Sequence, residues 1–547
     1  MNMKTICGNI FYNNLPELKY AMRNDKFQKE KVSFENDDFV INFDGIILNS
    51  ISLFEEFNCC DNKDIILSLY NLYGADMVRY AKGAYALSIW DKKDEKVFIT
   101  NDLLSKRSIY YRIDQNGVSF AGSFFDLVDL LSITNYIPKI NVSAVQSMSA
   151  QGYLTGNTTY LEDVFYLNAF ESIVIDLKTN TTEIIKHKLK SAQITEDVDA
   201  LIDQFDSLFT NAVKLQFDKN KDYGYQQVST LSGGMDSRAC LLKGIDVGYK
   251  NDIICFNYAQ SGSLDFQISQ QIAIDYHLNY IFYPMDSALF VPTYKNSIAR
   301  NECQQRAIGS TAAVTLADLL NTTNFGIIHT GLLGGELMGD LITFAGAEVK
   351  NKLKKVINIL FAKKINSNAL CSNFNSLLDQ LRACQNFAYM FLERCEVFSP
   401  FLDEDVFEFL SQLEPKHLYQ RKFYLKWTQK YIPNHYILTH LGCRADASPL
   451  KIVATKTYYT LQKKLTGKST KEMNPFDFWF HNNPEYKQIF TKDFDKLCGD
   501  LNANENMSGV VKAAADCWSD NWLKNACVLT ALNGVKTVCQ KLSMKNS

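Results

Sequence analysis

Ser232-Gly-Gly-Met-Asp-Ser237 lies between a strand-like run, Gln226 to Leu231, and a helical run, Met235 to Leu242. Two glycines at such a junction let backbone N–H groups close on an oxyanion, and the start of the helix adds partial positive charge. Ser232 and Ser237 can donate hydroxyls, and Asp236 can hold Mg²⁺ facing phosphate oxygens. A glycine turn with a serine cap is the plainer alternative. Asp and Ser in register with both glycines favour phosphate binding.

Outward from this loop, strand and helix alternate. Asp252 to Tyr258 reads as a buried strand. Ser263 is placed to cap a helix, with Asp265 in its first turn. Leu264, Ile268, Ile272 and Tyr276 give that helix one apolar face. Tyr280 to Tyr283 and Phe325 to His329 are further strands. The alternation predicts a parallel sheet with helices on both faces. Residues 350–547 read as mainly helical. Trp427, Trp479, Trp518 and Trp522 fall among helical apolar residues and are expected in the core. Gly467-Lys-Ser469 lacks the first glycine of a nucleotide-binding loop, since position 462 is Gln462, and reads as a basic loop.

Toward the N-terminus the pattern changes. Lys186 to Asp199 is polar and forms the expected linker. Before it, Phe39–Phe43, Tyr85–Trp90, Lys96–Thr100 and Ser172–Asp176 are short β-branched or aromatic runs bounded by turn residues. Asp64 to Tyr70 reads as helical. A length of 547 residues exceeds what one core usually supports. Two domains are expected, 1–190 and 200–547.

The net charge is −3 and shows no basic excess, which disfavours nucleic acid. No apolar run spans a bilayer, and the N-terminus lacks a signal-peptide core, so a cytoplasmic protein without membrane contact is expected. The 14 Cys follow no repeated spacing and 7 His form no ligand cluster, so reduced cysteines and no zinc are expected.

These residues resemble the asparagine synthetase family. Ser232–Ser237 is similar to its SGGxDS pyrophosphate loop, and Gly262-Ser-Leu-Asp265 to its G-S-x-D segment. Thr330-Gly-Leu-Leu-Gly-Gly-Glu-Leu-Met-Gly339 resembles S-G-x-G-x-D-E-x-F-G, and Ser399-Pro-Phe-Leu-Asp403 resembles S-P-F-L-D. Lys422-Phe-Tyr-Leu-Lys426 is similar to K-x-x-L-R, whose first lysine is catalytic. The resemblance implies ATP along Ser232, Gly233, Gly234, Asp236 and Ser237, with adenine near the backbone of Leu231, Tyr258 and Gly331. It implies Mg²⁺ on Asp236, and catalytic roles for Lys422 and Glu336. Gly335 stands where the family has a metal-binding Asp, and Leu332 where asparagine synthetases carry Glu. Asp340 is a candidate replacement carboxylate; a solvated loop Asp is the competing reading.

The first domain resembles the family's glutaminase domain. Gly83–Asp91, Asn101–Tyr111 and Phe120-Ala-Gly-Ser123 follow its folding motifs, which carry architecture and not activity. Cys7-Gly8 stands where the family has its N-terminal nucleophile, yet six residues precede Cys7. Asp44-Gly45 stands where the oxyanion hole has Asn-Gly, and a carboxylate there repels developing negative charge. Arg23, the only arginine between Tyr20 and Phe39, does not match the glutamine-gripping segment. The expected glutaminase site of Cys7, Asp44 and Gly45 is therefore degenerate.

The expected fold is an N-terminal αββα sandwich followed by an α/β pyrophosphate-loop domain with a helical C-terminal half. The expected function is an ATP-dependent ligase that adenylates a small-molecule or peptide carboxylate, releases pyrophosphate and lets an amine or ammonia attack. A non-catalytic scaffold and a glutamine-dependent asparagine synthetase stay as alternatives. An oligomer is compatible with the sequence.

Overall fold

The computed structural model describes residues 4–134, 136–189, 197–344, 370–372, 374–388, 391, 393–432, 443–444, 447–467 and 472–543. Its N-terminal strands are β1 (Cys7–Phe11), β2 (Glu17–Lys19), β3 (Val32–Glu35), β4 (Phe39–Ile47), β5 (Gly83–Asp91), β6 (Lys96–Asn101), β7 (Tyr110–Asp114), β8 (Gly117–Ala121), β9 (Phe165–Tyr166), β10 (Glu171–Asp176) and β11 (Thr181–Lys186). They form two antiparallel sheets, ordered β2-β1-β8-β7-β9 and β11-β10-β6-β5-β4-β3. Ile10, Val118 and Phe120 of one sheet meet Val97, Ile99 and Ile173 of the other. Helices α1 (Ser50–Phe57) and α2 (Asn62–Tyr73) cover the six-stranded sheet through Leu53, Ile65 and Leu69. Helices α3 (Phe124–Leu131) and α4 (Val142–Gln151) cover the five-stranded sheet through Leu127, Val128 and Met148. The result is the αββα sandwich read from the sequence. Because both faces of each sheet are covered, β5 is buried almost throughout and reads as an apolar run.

Helix α5 (Val198–Asp222) leads into the second half. It begins inside the stretch expected as linker, because Asp197 caps it by accepting a hydrogen bond from the Asp199 amide. Residues 190–196 of that stretch lie outside the described residues. Beyond come β12 (Gln226–Thr230), α6 (Met235–Gly244), β13 (Ile253–Ala259), α7 (Leu264–Tyr276), β14 (Asn279–Pro284) and β15 (Phe325–His329). A small ribbon of β16 (Ile342–Phe344) and β17 (Leu370–Ser372) precedes β18 (Glu396–Phe398). The main sheet is parallel and ordered β14-β13-β12-β15-β18.

Helices cover both faces of this sheet. Phe205, Phe209 and Val213 of α5 and Leu241 of α6 fill one side, and Ala313, Val314 and Leu316 meet Val228 and Ile328 on the other. The strand order turns at β12, between β13 and β15, so a crevice opens at the carboxyl end of β12. That is where Ser232–Ser237 sits.

The C-terminal helices pack back on the first sandwich, where Trp479, Phe480, Leu529 and Val535 join the cluster containing Cys7 and Phe124. Trp427 and Trp479 are fully enclosed, and Trp518 and Trp522 pack against that cluster, as expected. Gly467 ends the helix Pro449–Thr466 in a left-handed conformation at φ 71°; Lys468 and Ser469 lie outside the described residues. Among the described residues, no helix is long and apolar enough to cross a membrane.

Buried ion pairs hold the two halves together. Arg107 Nη2 lies 2.6 Å from Glu396 Oε1, and Lys106 Nζ lies 2.6 Å from Glu404 Oε1. Glu302 reaches across to accept from Ser123 Oγ at 2.6 Å and from the Phe124 amide at 2.8 Å, which caps α3.

Candidate functional site

The turn after β12 is shaped by its own side chains. Ser237 Oγ accepts from the Ser232 amide at 3.0 Å, and Ser232 Oγ accepts from the Gly234 amide at 3.1 Å. The Gly233 amide donates to Asp265 Oδ1 at 2.9 Å. Ser263 caps α7 as read from the sequence. The Asp265 carboxylate in that first turn also does something more specific, since it fixes the glycine turn from the neighbouring strand–helix unit. Burial pushes its carboxyl upward, and the bond from Gly233 opposes this. A side chain at Gly233 would bring its Cβ 2.8 Å from Asp265 Cα, so only glycine allows the approach.

Asp236 opens α6 and lines the cleft. Desolvation pushes its carboxyl up to about 6, and the bond it accepts from Tyr424 opposes that rise. Tyr424 Oη donates to Asp236 Oδ1 at 2.8 Å. Facing it is the Thr330–Gly339 segment. A Cβ at Gly331 would lie 2.5 Å from the Asp236 carbonyl carbon, and one at Gly334 would lie 2.7 Å from Asp236 Cγ. Glycine at both positions lets this loop close over Asp236.

The point a Gly335 Cβ would occupy is 2.9 Å from Asp340 Oδ2 and 3.6 Å from Asp236 Oδ2. Two carboxylates thus flank the space left by the missing side chain. Two carboxylates with substrate phosphates are a donor set of the kind Mg²⁺ takes, although the Arg421 guanidinium stands 3.2 Å from the same point and no cluster of three or more His, Cys, Asp or Glu side chains is found among the described residues. Asp340 is exposed but paired: Arg421 Nε donates to its Oδ1 at 2.8 Å and Nη2 to its Oδ2 at 2.5 Å. Burial also pushes the Glu336 carboxyl upward, with Asp340 adding to the rise.

One cleft of about 350 Å³ joins Leu231, Ser232, Gly234, Asp236, Ser237, Tyr258, Gly331 and Glu336. Leu332, Cys384 and Met473 also line it. Of the expected residues, Gly233 is turned toward Asp265 and Asp340 stands beside the cleft. Lys422 is the first residue of the helix Lys422–Tyr431; its side chain is exposed, and among the described residues no hydrogen bond or ion pair holds it. Tyr424 and Arg421 escaped sequence reasoning. They sit within two residues of Lys422, so the segment was legible but the contributing side chains were not.

The N-terminal site is arranged differently. Cys7 is fully buried in β1, and burial, reinforced by Asp126, pushes its thiol up to about 11. The residues before it continue the fold. Thr5 Oγ1 donates to Asp126 Oδ2 at 2.8 Å, and the Gly122 amide donates to the Ile6 carbonyl at 2.9 Å. Asp44 lies on the other sheet, in β4, where Lys31 Nζ stands 3.7 Å from its Oδ1. Both side chains are almost fully enclosed. Burial lowers the Lys31 ammonium's pKa, and Asp44 opposes the shift. Gly45 is demanded by packing: its Cβ would lie 2.2 Å from the Ala84 carbonyl oxygen on β5. Arg23 is buried with its guanidinium 3.9 Å from Glu302, so it belongs to the contact between the halves.

Residues 28–187 match the family model described as a glutamine amidotransferase domain. A putative glutamine-hydrolysing asparagine synthetase 2 of Methanocaldococcus jannaschii is 27% identical over 292 residues, which is 51% of this chain and 54% of the relative. Asparagine synthetase 1 of Bacillus subtilis, also named glutamine-hydrolysing, is 23% identical over 215 residues, 38% of this chain and 33% of the relative. The match thus spans about half the length of these curated relatives or less. Among solved structures, a glutamine phosphoribosylpyrophosphate amidotransferase from B. subtilis, complexed with ADP and GMP, is 10% identical with a TM-score of 0.21, covering 42% of this chain and 49% of that one.

Proposed function

We propose that this chain, which resembles glutamine-hydrolysing asparagine synthetases over part of its length, is an ATP-dependent amide-forming ligase whose chemistry lies wholly in the second half. The single observation that carries this reading is the cleft at the carboxyl end of β12. There the glycine turn, Asp236 and Glu336 line one space.

ATP lies along Ser232–Ser237, with its adenine near the backbone of Leu231, Tyr258 and Gly331. A carboxylate oxygen of the substrate attacks the α-phosphorus, the bond to the β-phosphate oxygen breaks, and pyrophosphate leaves. Nitrogen of an amine or ammonia then attacks the acyl carbon, and AMP departs with the C–O bonding pair. Glu336 lines the cleft with a carboxyl raised by burial, and is the group placed to accept the proton that nitrogen loses. Asp236 and Asp340 would hold Mg²⁺, which when bound neutralises pyrophosphate charge. Lys422, at the start of its helix, supplies a mobile cation for both transition states.

The nitrogen source is a free amine or ammonia. Cys7 is the first residue of β1, its thiol buried and pushed up to about 11, and Asp44 stands 3.7 Å from Lys31. A second reading, glutamine-dependent asparagine synthesis, is favoured by the family match over residues 28–187. It requires cleavage before Cys7.

The test is ATP–pyrophosphate exchange across a panel of amino acids, peptides and other carboxylic acids. Exchange that depends on one acid class is expected. ATP binding without exchange for any acid would replace the ligase with a nucleotide-binding scaffold.

A further inference from the structure

Arg421 is held in a way that suits a residue meant to move. It grips Asp340 through two hydrogen bonds, at 2.8 and 2.5 Å. That pair strongly favours the charged guanidinium, with the Asp340 bond the largest cause. Yet the pair is not sealed, since the Arg421 side chain is 28% exposed and that of Asp340 is 46% exposed. Arg238, the other arginine near Asp236, is by contrast almost fully enclosed and donates through Nε to the Gly234 carbonyl at 3.0 Å.

The backbone is built around Arg421. Gln420 and Arg421 are consecutive non-glycine residues in the left-handed region, at φ 57° and 59°. Such conformations persist where surrounding structure fixes them, and they cluster at functional sites. Here the Gly334–Gly339 stretch does the fixing. A Cβ at Gly339 would lie 2.2 Å from the Leu418 carbonyl oxygen, and one at Gly335 would lie 3.2 Å from Arg421 Nη2. The two segments therefore interlock, and the guanidinium fills the space beside Gly335, next to Asp236. Asp236, Glu336 and Asp340 would all repel an incoming polyphosphate. Arg421 is the cation whose charge acts on both Asp236 and Glu336.

We infer that Arg421 is a phosphate-binding residue of this cleft, stored on Asp340, and that the pair exchanges partners when a polyphosphate arrives with its divalent cation. Asp340 then turns to the cation, and the freed guanidinium forks onto phosphate oxygens, a geometry that suits it. Charge balances, because the carboxylate gives up one cation for another as the guanidinium gains an anion. The inference rests on the proposed nucleotide site and names a ligand group within it.

The test is calorimetric binding of inorganic pyrophosphate and of ATP, with and without Mg²⁺, to the full chain and its variants. Arg421→Ala should weaken pyrophosphate binding about tenfold or more, the loss of charge-assisted hydrogen bonds, and Arg421→Lys should recover part of it. Asp340→Asn should tighten Mg²⁺-free pyrophosphate binding by releasing the guanidinium, and should weaken binding when Mg²⁺ is present. That reversal of sign is not expected of a purely structural pair. Arg421→Ala and Arg421→Lys both binding within about twofold of the wild type, or Asp340→Asn weakening binding equally in both conditions, would overturn the inference. A wild-type chain that binds neither probe would overturn the nucleotide site itself, and this inference with it.

Discussion

Asp44 and Asp236 each stand at a position to which the resemblance assigns chemistry, and their surroundings separate the two halves of the molecule. Asp44 lies within a sheet and has a lysine 3.7 Å away, both side chains enclosed. Asp236 lines a cleft and accepts a hydrogen bond from a neutral phenol, Tyr424. Lys31 and Asp44 face each other inside the fold, which makes the pair part of its packing. Asp236 carries a carboxyl that burial pushes up to about 6, a rise that Tyr424 and Arg421 oppose only in part. A bound divalent cation would oppose it further. The two aspartates thus differ in surroundings: one is packed between sheets, the other borders a cleft.

The largest expected effect is at Asp236 itself. Asp236→Asn should keep the fold and abolish pyrophosphate release, because a metal-bridging carboxylate contributes several kcal/mol of charge stabilisation. Turnover near the wild-type rate in this variant would remove the contrast with Asp44.

Next come the buried pairs between the halves. Removing Glu396 leaves Arg107 buried without its partner, and breaking such a pair costs roughly 3–5 kcal/mol. Glu396→Ala should lower the Tm steeply. Replacing both residues, as Arg107→Met with Glu396→Leu, should recover much of the loss. If Glu396→Ala melts like the wild type, the halves are held by something other than these pairs.

Lys422 comes third. Lys422→Ala should lower kcat by about 10²–10³, the usual cost of losing one charge-stabilising group, and change ATP affinity little. Lys426, four residues on and also exposed, should tolerate alanine. A crippled Lys426→Ala with a healthy Lys422→Ala would reassign the catalytic lysine.

The smallest effect is in pH dependence. The Asp236 carboxyl has an ordinary value of 3.8 and is pushed up to about 6 in the ligand-free fold. The folded state therefore binds more protons than the unfolded state between these values, so this group's contribution to stability falls as pH rises through that window. Asp236→Asn does not ionise. Its Tm should gain on the wild type between roughly pH 4 and 6 and hold a constant lead above, worth on the order of 2–3 kcal/mol. A difference independent of pH would mean that Asp236 is adequately solvated.

Much of this was legible in the sequence, and the missing parts share one cause. Short β-branched and aromatic runs between turn residues marked the sandwich strands, and the glycine turn before Met235 marked the crevice. The cap at Ser263 was read correctly. The start of α5 was missed because Val198–Asp199 belongs to a polar stretch, although Asp197 is a sound N-cap signal. Side-chain partners across elements stayed hidden. Tyr424 is 188 residues from Asp236, Arg421 is 81 from Asp340, and Arg107 is 289 from Glu396. Periodicity reports which face of an element is buried, but it carries no information on which distant side chain meets it. The pairing of Asp340 could be seen only once the chain brought Arg421 beside Gly335.

We propose that the first half, matched by a glutamine amidotransferase model over residues 28–187, keeps that scaffold without its reaction. Glutamate release from glutamine by the purified chain tests this most directly, measured with and without ATP and compared with Cys7→Ala. An N-terminal nucleophile needs its thiol and a free amine on one residue, whereas the backbone of Cys7 continues into Ile6 and Thr5. Release at the level of Cys7→Ala under every condition is the predicted result. Robust release that vanishes in Cys7→Ala would contradict it and reveal a cut before Cys7.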